Sequence, residues 1–123
     1  MADTGIRWGM TVLDTADPHG LADFYARLLG WEVVRSEDDW VSVRGEGGAL
    51  GFQLAPDHVP PTWPSGRVPQ QLHLDLDVAA YEGTEQLALQ LGATLVDDSP
   101  EHPTFRVYTD PAGHPFCLCL EGA

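Results

Sequence analysis

Along QQLHLDLDV, residues 70–78, apolar and polar positions alternate strictly: Leu72, Leu74, Leu76 and Val78 against Gln71, His73, Asp75 and Asp77. A period of two predicts a β-strand over Gln70–Val78 with two unlike faces. Neighbours on one face stand about 7 Å apart, two residues of roughly 3.3 Å each. The leucines and Val78 are expected to pack under helices, leaving one imidazole and two carboxylates on the opposite face.

Elsewhere the period changes. A mixed strand over Ile6–Asp14 is followed by ADPHGLADFYARLLG, where Leu21, Phe24, Tyr25, Leu28 and Leu29 make one helical stripe. Asp17 suits the N-cap, Pro18 the first helical position and Gly30 the C-terminal stop. WEVVRS, DWVSVRG and ALGFQLA then read as three short strands between acidic or glycine-rich turns. The second half repeats this order. Gln70–Val78 leads to YEGTEQLALQLG, a helix with Thr84, Leu87, Ala88 and Leu91 in register and Gly92 closing it, then to the strands ATLVDD, TFRVYTD and HPFCLCLE. LLGWEVV at 28–34 matches QLGATLV at 90–96, an offset of 62 residues.

The repeat sets the expected architecture. A half-chain of about 60 residues buries a helix stripe and a sheet face poorly by itself. Two βαβββ units side by side form an α+β fold, one cupped mixed sheet with helices on the convex side. The chain then is a single domain over 1–123, with repeat one at about 6–55 and repeat two at about 70–121. Residues 56–69 hold five of the ten prolines and cannot be a central strand, so they read as a linker whose Trp63 could lean over a cavity. In the first strand, alternation puts Met10, Val12 and Asp14 on the concave face with His73, Asp75 and Asp77. A straight offset of 62 pairs Thr11 rather than Met10 with His73, and a slip of one residue would exchange the faces.

Composition narrows the chemistry. Net charge is −13, and all six basic residues are arginine. That balance argues against nucleic acid and anionic membranes and suits a cationic partner. Without lysine, no side chain can form a Schiff base. No run of 18 apolar residues exists, so no membrane span is expected. MADTGIRWGM lacks a basic region followed by an apolar stretch, so no signal peptide is expected and the expected compartment is the cytoplasm. Cys117 and Cys119 share one strand face and read as reduced thiols, small buried groups rather than nucleophiles.

Other residues carry two readings each. His73 is either a base or hydrogen-bond donor tuned by Asp75, or a structural imidazole bonded across the sheet. Trp40 alternates with Val41, so one of them faces the cavity. Trp8, Trp31 and Trp40 read as core, and His102 and His114 as exposed loop residues. Asp110 and Gly113 read as a turn, with Asp110 bonding its own backbone. GEGG at 45–48 is another turn, without the lysine and hydroxyl of a phosphate loop.

D-x-x-x-L-A-D-F-Y-A-R-L-L-G-W at 17–31, H-L-D-L-D-V at 73–78 and D-P-A-G-H-P-F-C-L at 110–118 together resemble the vicinal oxygen chelate superfamily of glyoxalases, bleomycin-resistance proteins and extradiol dioxygenases. The resemblance covers nearly the whole chain, and it implies a homodimer, which the open strand edges would also favour. Metal-dependent relatives take four ligands from four strands, and those positions fall here on Met10, Gln53, His73 and Cys117. Met10 and Cys117 are soft donors, Gln53 is a weak one, and the set matches neither a two-His, one-carboxylate iron site nor an oxygen-rich octahedral one. Glu121 lies on the face of Cys117 but too far along to replace it. The expected protein therefore has no cofactor and binds a small organic molecule in a cavity lined by Met10, Asp14, Trp40, Gln53, His73, Asp75, Cys117 and Cys119. The bleomycin-resistance branch, with a metal-free cavity between subunits, offers a precedent in kind. Two rival expectations are a divalent-metal lyase, isomerase or dioxygenase using a shifted site with Asp14 or Asp75, and a metal-free enzyme with His73 as general base.

Overall fold

The structure, a computed structural model, describes residues 4–120. Its elements run β1 (Thr11–Thr15), α1 (Pro18–Leu29), β2 (Glu32–Glu37), β3 (Trp40–Gly45), β4 (Gly48–Leu54), β5 (Leu74–Val78), α2 (Thr84–Leu91), β6 (Thr94–Asp97), β7 (Phe105–Thr109) and β8 (Pro115–Leu120). The fold is α+β, built as the repeat implies. Hydrogen bonding divides the cup into two four-stranded sheets of the same order, β1-β4-β3-β2 and β5-β8-β7-β6. The first pair in each is parallel and the other two are antiparallel. The register even breaks at matching places, between Val33 and Arg35 in one repeat and between Leu95 and Asp97 in the other, 62 residues on.

Local signals act as expected at the first helix. Asp17 accepts a hydrogen bond from Gly20 N at 3.0 Å. Pro18 opens the helix, and Gly30 ends it in the left-handed region at φ 69°. Gly92 ends α2 in the same way. Leu21, Phe24 and Tyr25 are fully buried. Phe24 and Tyr25 reach both sheets: Tyr25 stacks on Phe52 of β4, and both rings meet Phe116 of β8. One continuous core therefore runs through the two repeats around α1. In the second repeat, Glu85 of α2 accepts from Tyr108 Oη at 2.8 Å and from Arg106 at 3.1 Å, fastening that helix to β7.

Several expectations are corrected. Both repeat-opening strands are shorter than the alternation suggested. β1 begins at Thr11, and Ile6 and Trp8 stand in solvent, so Trp8 at 85% exposure is not core. β4 begins at Gly48, where its hairpin with β3 turns, and offers no further partner for residues 6–8. β5 begins at Leu74, leaving His73 just outside the strand and Leu72 51% exposed. β8 begins at Pro115, which has no N–H with which to extend the ladder. Leu87 is 38% exposed, so the α2 stripe is carried chiefly by Ala88. His114 and His102 are not free loop residues. The His114 ring stacks on His58 at 4.7 Å, and the His102 ring stacks on Phe105 and contacts Asp97. Glu121 and the expected end of repeat two at residue 121 lie outside the described residues.

Candidate functional site

β5 and β8 are parallel neighbours, with Asp75 opposite Cys117 and Asp77 opposite Cys119. Period-two alternation sends Leu74, Leu76 and Val78 into the core with Phe116 and Leu118. The carboxylates and thiols therefore share the other face. A cavity of ≈ 320 Å³ opens over that face, with Trp63 from the linker, Gln70 and His73 ahead of β5, Asp75, Cys117, Cys119 and Pro115, and Phe105 and Val107 of β7 around it. Most of its wall is carbon and sulfur. Its polar groups are few and clustered.

His73 Nε2 lies 3.2 Å from Asp75 Oδ1, both side chains about half exposed. One donor atom each of His73, Asp75 and Cys117 falls within 4.8 Å of the other two. Burial pushes the Cys117 thiol up to about 12, and the Asp75 charge adds to it. Burial likewise raises Cys119, with Asp75 and Asp77 contributing. Both thiols therefore stay protonated at neutral pH and are poor nucleophiles in the free protein. Neither is in a disulfide. Gln70 Oε1 is buried without a hydrogen-bond partner.

The other sequence-derived candidates lie elsewhere. Trp40 faces away from the core, opposite to Val41, and pairs with Gln53 across β3 and β4. Its ring lies over Gly51, where an added Cβ would come within 2.6 Å of the indole and 3.0 Å of Met10 Sδ. Met10, Trp40 and Gln53 thus gather on the first sheet, where Trp40 and Gln53 border a separate depression with Arg35 and Glu37. Asp14 borders a third, between β1 and the linker, with His58, Gln70 and His114. Of the eight candidates, the second-sheet cavity collects four: His73, Asp75, Cys117 and Cys119. Gln70 and Phe105 were not singled out in the sequence. Gln70 begins the alternating run, and Phe105 shares the cavity-side parity of Val107, Cys117 and Cys119 through the β7–β8 register.

The superfamily's ligand positions are split in the same way. Gln53 is on β4 of the first sheet and Met10, just ahead of β1, packs beside Gly51 of that sheet, whereas His73 and Cys117 line the second-sheet cavity. Two of the four donors are sulfur and one is a neutral amide, a poor match for manganese, nickel or iron in an oxygen/nitrogen cage. The residues present do not fit that ion.

Residues 10–119 match the family model described as a glyoxalase-like domain. Solved structures share the fold at low identity. A glyoxalase-related enzyme from Fulvimarina pelagi is 19% identical with a TM-score of 0.70, over 94% of this chain and 88% of that one. A glyoxalase/bleomycin resistance protein/dioxygenase family enzyme from Burkholderia phytofirmans PsJN is 19% identical with a TM-score of 0.71, over 91% and 96%. A bleomycin-binding protein complexed with bleomycin is 17% identical with a TM-score of 0.63, over 94% and 99%. No curated protein matches the sequence. The match across both repeats shows that the chain belongs to the glyoxalase-like family of the vicinal oxygen chelate superfamily.

Proposed function

We propose that this protein binds a small, largely apolar, cationic organic molecule in the second-sheet cavity, without the hard divalent ion of its metal-dependent relatives. The observation that carries the reading is the wall itself. An apolar hollow of ≈ 320 Å³ carries the Asp75 carboxylate among its few polar groups. That volume sits at the small end of ligand pockets, about 300–1,000 Å³. Two aromatic residues, Trp63 and Phe105, line the wall, which favours a flat or cationic group. A net charge of −13 draws cations toward the whole surface. The structural neighbour holding bleomycin supports sequestration in kind.

Calorimetric titration with phenethylamine, phenethyl alcohol and phenylacetate tests the reading, because the three share a ring and differ in charge. The amine is expected to bind best and the acid worst. Asp75→Asn is expected to cost the amine about 10- to 100-fold, the worth of a charged hydrogen bond. Equal binding of all three, or a preference for the acid, refutes a cation site.

The His73–Asp75 contact favours a second reading, in which His73 takes a proton from the bound molecule. His73→Ala would then abolish turnover while binding persists. A homodimer in a reducing compartment belongs to the same proposal: β2 is an open edge with Val33 and Val34 exposed, and both cysteines are free. Sedimentation equilibrium would report the dimer. Among the described residues, no helix is long and apolar enough to cross a membrane.

A further inference from the structure

We infer that His102 is held as an imidazolium and is a positioning residue for the second-sheet cavity, fixing the wall residue Phe105, so that ligand binds more tightly when His102 carries its proton. The inference rests on that cavity being the ligand site. Both nitrogens of the ring face acceptors: Nδ1 lies 3.0 Å from Phe105 O and Nε2 lies 3.0 Å from Asp97 Oδ1. A neutral imidazole has one N–H and one lone pair, so either tautomer sets that lone pair against an oxygen. Only the imidazolium donates to both. The ring also lies flat on Phe105, centroids 4.2 Å apart and planes within 10°. The Phe105 carbonyl raises the imidazole above its ordinary 6.5, burial offsets part of the rise, and the Asp97 charge adds to it.

The sheet register ties this cluster to the cavity. Asp75 of β5, Cys117 of β8, Val107 of β7 and Asp97 of β6 are successive cross-strand partners. Asp97 and His102 therefore close one end of the row whose other end is Asp75. Asp97 Oδ1 also accepts from Ser99 N at 3.1 Å, and His102 N donates to Ser99 O at 3.2 Å, so the loop before Phe105 folds onto one carboxylate. The surrounding titratable groups are Asp98 and Glu101 on the same loop, Cys119 opposite Phe105 on β8, and Tyr81, which donates to Pro103 O. Arg106 is turned onto Tyr81 and Glu85. As a raised histidine, His102 contributes fully below its ordinary value, and the contribution is lost as pH rises through the raised one.

The test follows the His102 nitrogens by long-range proton–nitrogen NMR from about pH 5 to 9, with and without phenethyl alcohol. The alcohol stays uncharged, so changing charge on Asp97 or His73 does not attract or repel it. The free protein is expected to show two protonated nitrogens and a midpoint above 6.5. Alcohol affinity is expected to fall about 5-fold above that midpoint, at the low end of coupling between sites, and saturation should lift the midpoint by about 0.7, the logarithm of that factor. His102→Gln should bind the alcohol about 5-fold more weakly than the parent at low pH and equally at high pH. Without any ligand, exchange protection of Leu120 N, which donates to Thr104 O at 2.9 Å, should fall above the same midpoint. A midpoint at or below 6.5, a midpoint that alcohol leaves or lowers, or an equal deficit of His102→Gln at both ends of the pH range overturns the inference. If His102→Gln fails to fold by circular dichroism, the midpoint of the parent decides. Failure of both the amine and the alcohol to bind refutes the cavity reading and the coupling with it, while the ligand-free spectra still decide the imidazolium.

Discussion

Tyr25 and Asp110 are 85 residues apart in the chain and 2.7 Å apart in space, the phenol of α1 donating to Oδ2 of a carboxylate in the last turn of the second repeat. The other oxygen of Asp110 accepts from Ala112 N and His114 N, both at 2.9 Å. His114 Nδ1 lies 3.3 Å from Oδ2, too poorly aligned to be a hydrogen bond. One buried carboxylate thus closes the DPAGH turn and fastens it to the other repeat.

Removing either partner should therefore cost stability without touching the cavity. Tyr25→Phe leaves Asp110 with one buried lone pair unmet, a loss of about 1–3 kcal/mol. Asp110→Ala strands the phenol and two backbone N–H groups as well and should cost more. Urea denaturation of the two variants checks the order. Equal stability of Asp110→Ala and the parent would show that the turn closes without its carboxylate.

Alkaline pH should destabilise the fold. Cys117 is raised from its ordinary 9.0 by burial, and Tyr25 from 10.0 by burial and then by Asp110. Tyr108 is raised from 10.0 by burial and then by Glu85. For acids raised in the folded state, the unfolded chain loses its protons first. Their contribution is whole below about pH 9 and declines as pH rises through 9 and 10 toward the raised values, by about 1.4 kcal/mol per pH unit for each group. Melting temperature measured from pH 7 to 11 should fall beyond pH 9, and less steeply in Cys117→Ala once corrected for its own lower starting stability.

Gly51 should be required by the first sheet's concave side. Any side chain there meets the Trp40 ring at 2.6 Å and Met10 Sδ at 3.0 Å. Gly51→Val is expected to expel the indole into water and red-shift tryptophan emission. Amine binding at the second sheet should persist, because Trp40 does not border that cavity. Loss of amine binding in a folded Gly51→Val protein would mean that the two sheets share one site.

Much of this was legible in the chain because the two halves repeat one physical solution. Gly30 and Gly92, 62 residues apart, both end helices in the left-handed region. The alternation at Leu74, Asp75, Leu76 and Asp77 showed which side would be core. What alternation alone does not carry is the extent of a ladder, which depends on the partner strand. Pro115 and the Gly48 hairpin cut the repeat-opening strands short, and neither limit is visible in Gln70–His73 or Ile6–Met10 themselves. The division of the candidates follows from tertiary packing. Both sheets fold around α1, so Gln53 and His73, matched as members of one ligand set, line separate depressions.

The most direct measurement is amide chemical-shift mapping of isotope-labelled protein titrated with phenethylamine in chelator. The largest changes are expected at Asp75, Phe105, Val107 and Cys117, with the Trp63 indole moving alongside them. Changes centred instead on Trp40 and Gln53, or none at saturating amine, would contradict a binding site on the second sheet.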